Sequence, residues 1–210
     1  MSKKLTQSKM MDVLEWGYDK ALNGIAGMDG AIILAESYKD SNKTLLEQVE
    51  SLVRWQNTKC ATSGFITGLG GILTLPIAIP ANVASTLYIQ IRMILAIAHL
   101  GGYDIRDDKV KSLVYMALVG NEAKEILKDI AIQVGKQMAR QMIRNISKDT
   151  IIKINQKVAF RLVTKFGEKG VINLGKTVPL VGGIIGGTAD AIYSNIVGNA
   201  AIRIFIDEKY

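Results

Sequence analysis

The chain has 210 residues, and a length of this size fits one domain spanning residues 1–210. Hydrophobic residues make up 49% of it and the mean hydropathy is +0.20, which is high for a soluble protein but too low for a polytopic membrane protein. The formal net charge of +7 favours an anionic partner, and the single cysteine, Cys60, excludes an internal disulfide.

Proline usage predicts the fold class. The chain has three prolines, and the 98 residues between Pro80 and Pro179 contain none. Proline breaks helices, and the sequence shows no alternating β-branched runs joined by hairpin turns. We therefore predict an all-α protein, a compact multi-helix bundle.

Three helices are predicted before residue 60, over residues 6–22, over residues 28–38 and after the polar break KDSNK. The third helix has apolar residues at helical spacing, namely Leu45, Leu46, Val49, Leu52, Val53 and Trp55. The two tryptophans, Trp16 and Trp55, are predicted to be core anchors.

A stretch of 32 residues without formal charge then runs from Cys60 to Ile91. Glycines and prolines interrupt it, and Pro80 is placed to start a helix that Gly101 and Gly102 end after Leu100. Arg92 near the middle of that helix argues against a simple membrane span. A buried hairpin or a re-entrant insertion fits better. A further helix is predicted over residues 108–119.

The whole charge excess falls in residues 130–169, which hold nine basic and two acidic side chains. The cations recur at helical intervals, which places them along one face of amphipathic helices. Solubility faces usually mix both signs, so this face predicts contact with anionic lipid. The candidate lipid-binding residues are Lys136, Arg140, Arg144, Lys148, Lys153, Lys157, Arg161 and Lys165.

Two other interpretations of the basic face stay open. It is either a solvated surface or a surface that binds nucleic acid or protein. Nucleic acid is less favoured because the segment lacks the aromatic platforms of single-strand readers and any recognised reading helix. The apolar stripe Ile151, Ile154, Val158, Leu162 and Phe166 is predicted to face the core.

Glycines four residues apart lie in the two charge-poor parts of the chain. A glycine in a helix interior costs about 0.5–1 kcal/mol, so a set of them at this spacing indicates that another backbone approaches closely. We predict that two Gly-rich apolar helical segments pack at the centre of the bundle. The helix-packing candidates are Gly64, Gly68, Gly182, Gly183, Gly186 and Gly187.

Each apolar element also carries one ionisable group well inside it, Arg92 in the first and Asp190 in the second. A lone buried charge is costly, so opposite charges in facing helices tend to pair. The hypothesis is a buried ion pair between Arg92 and Asp190. The alternative is that Asp190 faces water.

Several stretches resemble the EcsC protein family. They include LVRWQ around Trp55, GFITGLGGILTLPIAIPANVASTLYIQIRMILAIAHLGGYD and VPLVGGIIGGTADAIYSNIVGNAAIRIF near the end. The resemblance spans nearly the whole chain in the right order. It implies a bacterial, membrane-associated helical protein whose biochemical role is poorly defined.

No catalytic constellation is recognisable in the sequence. His99 is the only histidine, and the glycine-rich stretches lack the lysine of a phosphate-binding loop. We therefore expect a non-enzymatic protein without cofactor or metal, cytoplasmic and peripheral to the inner membrane. The alternative function is a soluble carrier or sensor for an acyl chain.

Overall fold

Helices account for most of the computed structural model, which describes residues 5–61, 81–129, 138–167 and 187–206. These ranges contain nine α-helices, one 3₁₀ turn (Gly120–Glu122) and no strand. The helices are α1 Gln7–Asn23, α2 Ala31–Glu36, α3 Leu45–Ala61, α4 Ala81–Leu100, α5 Asp108–Leu118, α6 Ala123–Asp129, α7 Met138–Asn145, α8 Lys148–Phe166 and α9 Gly187–Phe205. The predicted all-α class is confirmed.

Local sequence sets several helix ends. Side-chain oxygens of Thr6, Asp107 and Ser147 accept hydrogen bonds from free backbone amides at the starts of α1, α5 and α8. After α4 the chain turns at Gly102, whose φ of +80° favours glycine. The predicted end of this helix at Leu100 is therefore confirmed.

Helix α4 is the core of the bundle. It contacts α1, α2, α3, α5 and α9, and all of its residues from Leu87 to Ala98 are buried. The segment Val83–Leu100 is long and apolar enough to cross a membrane, but 83% of it is buried against other helices. The core helix of a soluble protein has the same properties, so this segment is weak support for a span.

Trp16 packs partly buried against the core, as predicted, but the prediction for Trp55 is wrong. The buried face of α3 runs through Val49, Leu52 and Val53 and continues to Gln56, which is 1% exposed. A helix advances 100° per residue, so Trp55 points away from that face and is 53% exposed.

Helices α3 and α9 pack closely and antiparallel. Asn57 Nδ2 donates to Asn195 Oδ1 at 3.2 Å, and a Cβ at Gly198 would lie only 2.6 Å from Val53 Cγ1. Gly187 is the first residue of α9; Gly64, Gly68, Gly182, Gly183 and Gly186 lie outside the described residues. The predicted crossing of the two Gly-rich segments therefore stays a prediction, and the close approach that is seen occurs at Gly198.

Candidate functional site

The basic face is carried by α7 and α8, which meet at Ile146 and Ser147. Ser147 Oγ accepts a hydrogen bond from the Thr150 amide at 3.2 Å and so starts α8. Lys109 of α5 donates from Nζ to the Ile143 carbonyl at 2.6 Å, near the end of α7. A cation at a helix C-terminus satisfies a free carbonyl, so this contact fixes α7 against the bundle.

The underside of α8 is apolar and faces α1 and α5. Ile154, Val158 and Leu162 are fully buried, and Phe166 packs partly buried against the core. The predicted apolar stripe is confirmed at these positions. Burial of this stripe turns the opposite side of α8 toward solvent.

Acidic side chains on and before α6 neutralise two of the candidate cations. Lys157 Nζ lies 2.7 Å from Asp129 Oδ2, and Arg161 lies 3.3 Å from Glu122 and 3.1 Å from Glu125. The Lys157 ammonium holds the pKa of the Asp129 carboxyl below its usual range. The basic face is therefore balanced by acids along this part of α8.

Lys165 is held by an aromatic ring rather than by an acid. Its Nζ lies 3.2 Å from the ring centroid of Tyr193 in α9, and the Tyr193 hydroxyl donates to the Leu118 carbonyl at 2.7 Å. Burial lowers the pKa of Lys165 to about 8, partly offset by the charge of Glu122. This lysine thus contributes to packing between α8 and α9.

The remaining cations lie at the start of the face. Arg140, Arg144, Lys148 and Lys153 are all exposed, and Lys136 lies outside the described residues. Within the part of the chain that the structure describes, Arg144, Lys148 and Lys153 have no ion-pair partner. We refer to these three residues as the corner cations.

The sequence predictions do not include the acidic partners of Lys157 and Arg161, although the sequence contains a signal for them. Glu122, Glu125 and Asp129 recur at intervals of three and four, which places them on one side of a helix. Such an acidic stripe beside a basic one indicates that the two neutralise each other. Its helix ends at Asp129, directly before the basic region of residues 130–169.

Arg92 is buried, with 7% of its surface exposed. Its Nε donates to the Asp29 carbonyl oxygen at 2.6 Å, and burial lowers its pKa. Asp190 is in α9, but its side chain lies outside what the structure describes. The pairing of Arg92 with Asp190 stays a prediction, and the contact that is seen for Arg92 is a backbone carbonyl.

Two depressions on the described surface are wide open and lined mainly by polar atoms. One lies over residues 23–33 and the other over residues 37–51. An acyl chain requires an enclosed apolar cavity, so neither depression supports the carrier alternative. Among the described residues, no three His, Cys, Asp or Glu side chains lie close enough to share a metal ion.

Of three comparisons with known proteins, the one with protein-family models gives a match, and that match covers nearly the whole chain. No curated protein and no solved structure matches it. The family model of the EcsC protein family matches residues 4–206. This range includes α1 to α9, the basic face and both charge-poor segments. The chain therefore belongs to the EcsC protein family.

Proposed function

We propose that this protein is a non-enzymatic, membrane-associated helical protein that binds anionic lipid surfaces through its basic helical face. The corner cations Arg144, Lys148 and Lys153 are the primary contacts, and Lys136 and Arg140 extend the face along the chain. The protein would then be cytoplasmic and peripheral to the inner membrane.

The observation that supports the proposal is the different environment of the cations along α7 and α8. Lys157 and Arg161 have carboxylate partners within 3.3 Å, whereas the corner cations are exposed and without such partners among the described residues. A cation near an anionic leaflet contributes about 1 kcal/mol, so three of them contribute about 3 kcal/mol. This corresponds to about a hundredfold in partitioning.

The proposal is compatible with two locations of the Gly-rich apolar segments. They are buried within the bundle, or they insert into the bilayer beside the basic face. The only described helix that is long and apolar enough for a span is mostly buried, so peripheral contact accounts for the described residues without a span.

The test is flotation of the purified chain with vesicles of neutral phosphatidylcholine, alone or mixed with phosphatidylglycerol, at increasing salt. We expect flotation only with the anionic vesicles and its loss at high salt, because the Debye length falls from about 10 Å at 0.1 M to about 3 Å at 1 M. Flotation on neutral vesicles would indicate insertion of the apolar segments. Failure on every vesicle, with retained binding to DNA or RNA, would contradict the proposal.

A further inference from the structure

The solvent-facing side of α8 carries two large apolar side chains as well as cations. Ile152 is 53% exposed and Phe160 is 55% exposed. They lie eight residues apart, so about 12 Å separates them along the helix axis. Gln156, between them, is also exposed. Both side chains therefore stand on the side of α8 opposite the buried stripe.

The charged residues around Ile152 differ from those around Phe160. Lys148 and Lys153 flank Ile152, and one exposed acid, Asp149, is close to them in the sequence. Around Phe160, the neighbouring Lys157 and Arg161 form ion pairs with the acids on and before α6. Each of these carboxylates is thus held by a cation.

We infer that Ile152 and Phe160 are the residues of this face that enter the apolar boundary of an anionic bilayer, with α8 lying in the plane of the membrane. The inference rests on the proposed function and specifies its partner. Exposed apolar side chains beside cations gain free energy at the boundary between headgroups and acyl chains. A nucleic acid or a soluble anion would engage only the cations.

The experiment measures the environment of each side chain. In a Cys60→Ala background, Ile152→Cys and Phe160→Cys are labelled with an environment-sensitive nitrobenzoxadiazole dye. Ile33→Cys is the matched control, because Ile33 is 58% exposed on α2. We expect the emission at positions 152 and 160 to rise and shift to shorter wavelength on phosphatidylglycerol vesicles, and the emission at position 33 to stay unchanged.

A second measurement uses unlabelled protein. Ile152→Ser combined with Phe160→Ser is expected to lower partitioning onto the anionic vesicles by about tenfold or more. Ile33→Ser should leave it unchanged. More than half of each of the three side chains is exposed, so both variants should keep the circular dichroism spectrum of the parent protein.

The outcomes separate this inference from the proposed function. If the labelled proteins float but the dyes at 152 and 160 do not respond, the inference is overturned and the proposed function stands. If nothing floats, both are overturned. A third outcome is that the dyes respond without vesicles as protein concentration rises, and that light scattering shows a dimer which the double serine variant does not form. The face would then bind a second copy of the chain, and the inference would also be overturned.

Discussion

Arg92 Nε donates a hydrogen bond of 2.6 Å to the carbonyl oxygen of Asp29, a residue 63 positions earlier in the chain. The contact joins the central helix α4 to the loop between α1 and α2. That loop reverses direction at Gly24 and Gly27, both with positive φ. A buried guanidinium thus fixes a loop whose own conformation depends on two glycines.

Replacing Arg92 should therefore loosen this loop. We expect Arg92→Met to lower the free energy of unfolding by about 1–3 kcal/mol, because a hydrogen bond from a charged group is lost. Urea denaturation measures the change, and hydrogen exchange should be faster at the amides of residues 25–30. Arg54→Met, at an exposed arginine on α3, is the control. Unchanged stability and exchange would show that Arg92 does not hold the loop.

Gly198 allows α3 and α9 to approach each other. A Cβ there would lie 2.6 Å from Val53 Cγ1 and 2.9 Å from Cγ2. We expect Gly198→Ala to lower the free energy of unfolding by about 1–3 kcal/mol through overpacking, although alanine favours helix by about 1 kcal/mol over glycine. Val53→Ala in the same chain should recover part of the loss. A stabilised Gly198→Ala variant would contradict the close packing at this point.

Much of the fold was predictable from local sequence. Pro80 and Gly101 predicted the limits of α4, and Ile154, Val158 and Leu162 predicted the buried face of α8. The prediction for Trp55 failed because the apolar spacing of α3 did not reveal that the buried Gln56 continues the core face. Which cations of the basic face are paired with acids depends on which helix lies beside α8. Periodicity within a single helix does not contain that information.

Lys165 should give the protein a measurable pH dependence. Its pKa is about 8 in the folded protein, below the ordinary value for lysine of about 10.4. Between these values the unfolded chain binds more protons at this site, so the free energy of unfolding should rise with pH through that window. Below it Lys165 is protonated in both states and adds no pH dependence.

Urea denaturation of the parent protein and of Lys165→Met between pH 7 and pH 10.5 tests this. The stability of the parent relative to the variant should increase with pH. Lys128→Met, at an exposed lysine on α6, is the control for loss of charge. A constant difference between the parent and Lys165→Met would mean that Lys165 titrates alike in both states.

The acids of α6 should restrain lipid binding. Glu125→Gln with Asp129→Asn removes the carboxylate that holds Lys157 and one of the two that hold Arg161, which keeps its contact with Glu122. If each of the two positive charges gained at this site contributes about 1 kcal/mol at an anionic leaflet, partitioning onto phosphatidylglycerol vesicles should increase by about tenfold or more. Asp12→Asn with Asp104→Asn changes the net charge equally at exposed sites elsewhere. Equal effects of the two pairs would show that position does not matter and only net charge does.

The central claim is that three particular cations, rather than the net charge, bind the anionic surface. Its most direct test compares two variants of equal charge by vesicle flotation. The first is Arg144→Gln, Lys148→Gln and Lys153→Gln; the second replaces exposed cations elsewhere, Arg54→Gln, Arg106→Gln and Lys124→Gln. We expect the first to lose about a hundredfold in partitioning onto phosphatidylglycerol vesicles and the second to lose much less. Equal losses, or none in the first variant, would contradict the claim.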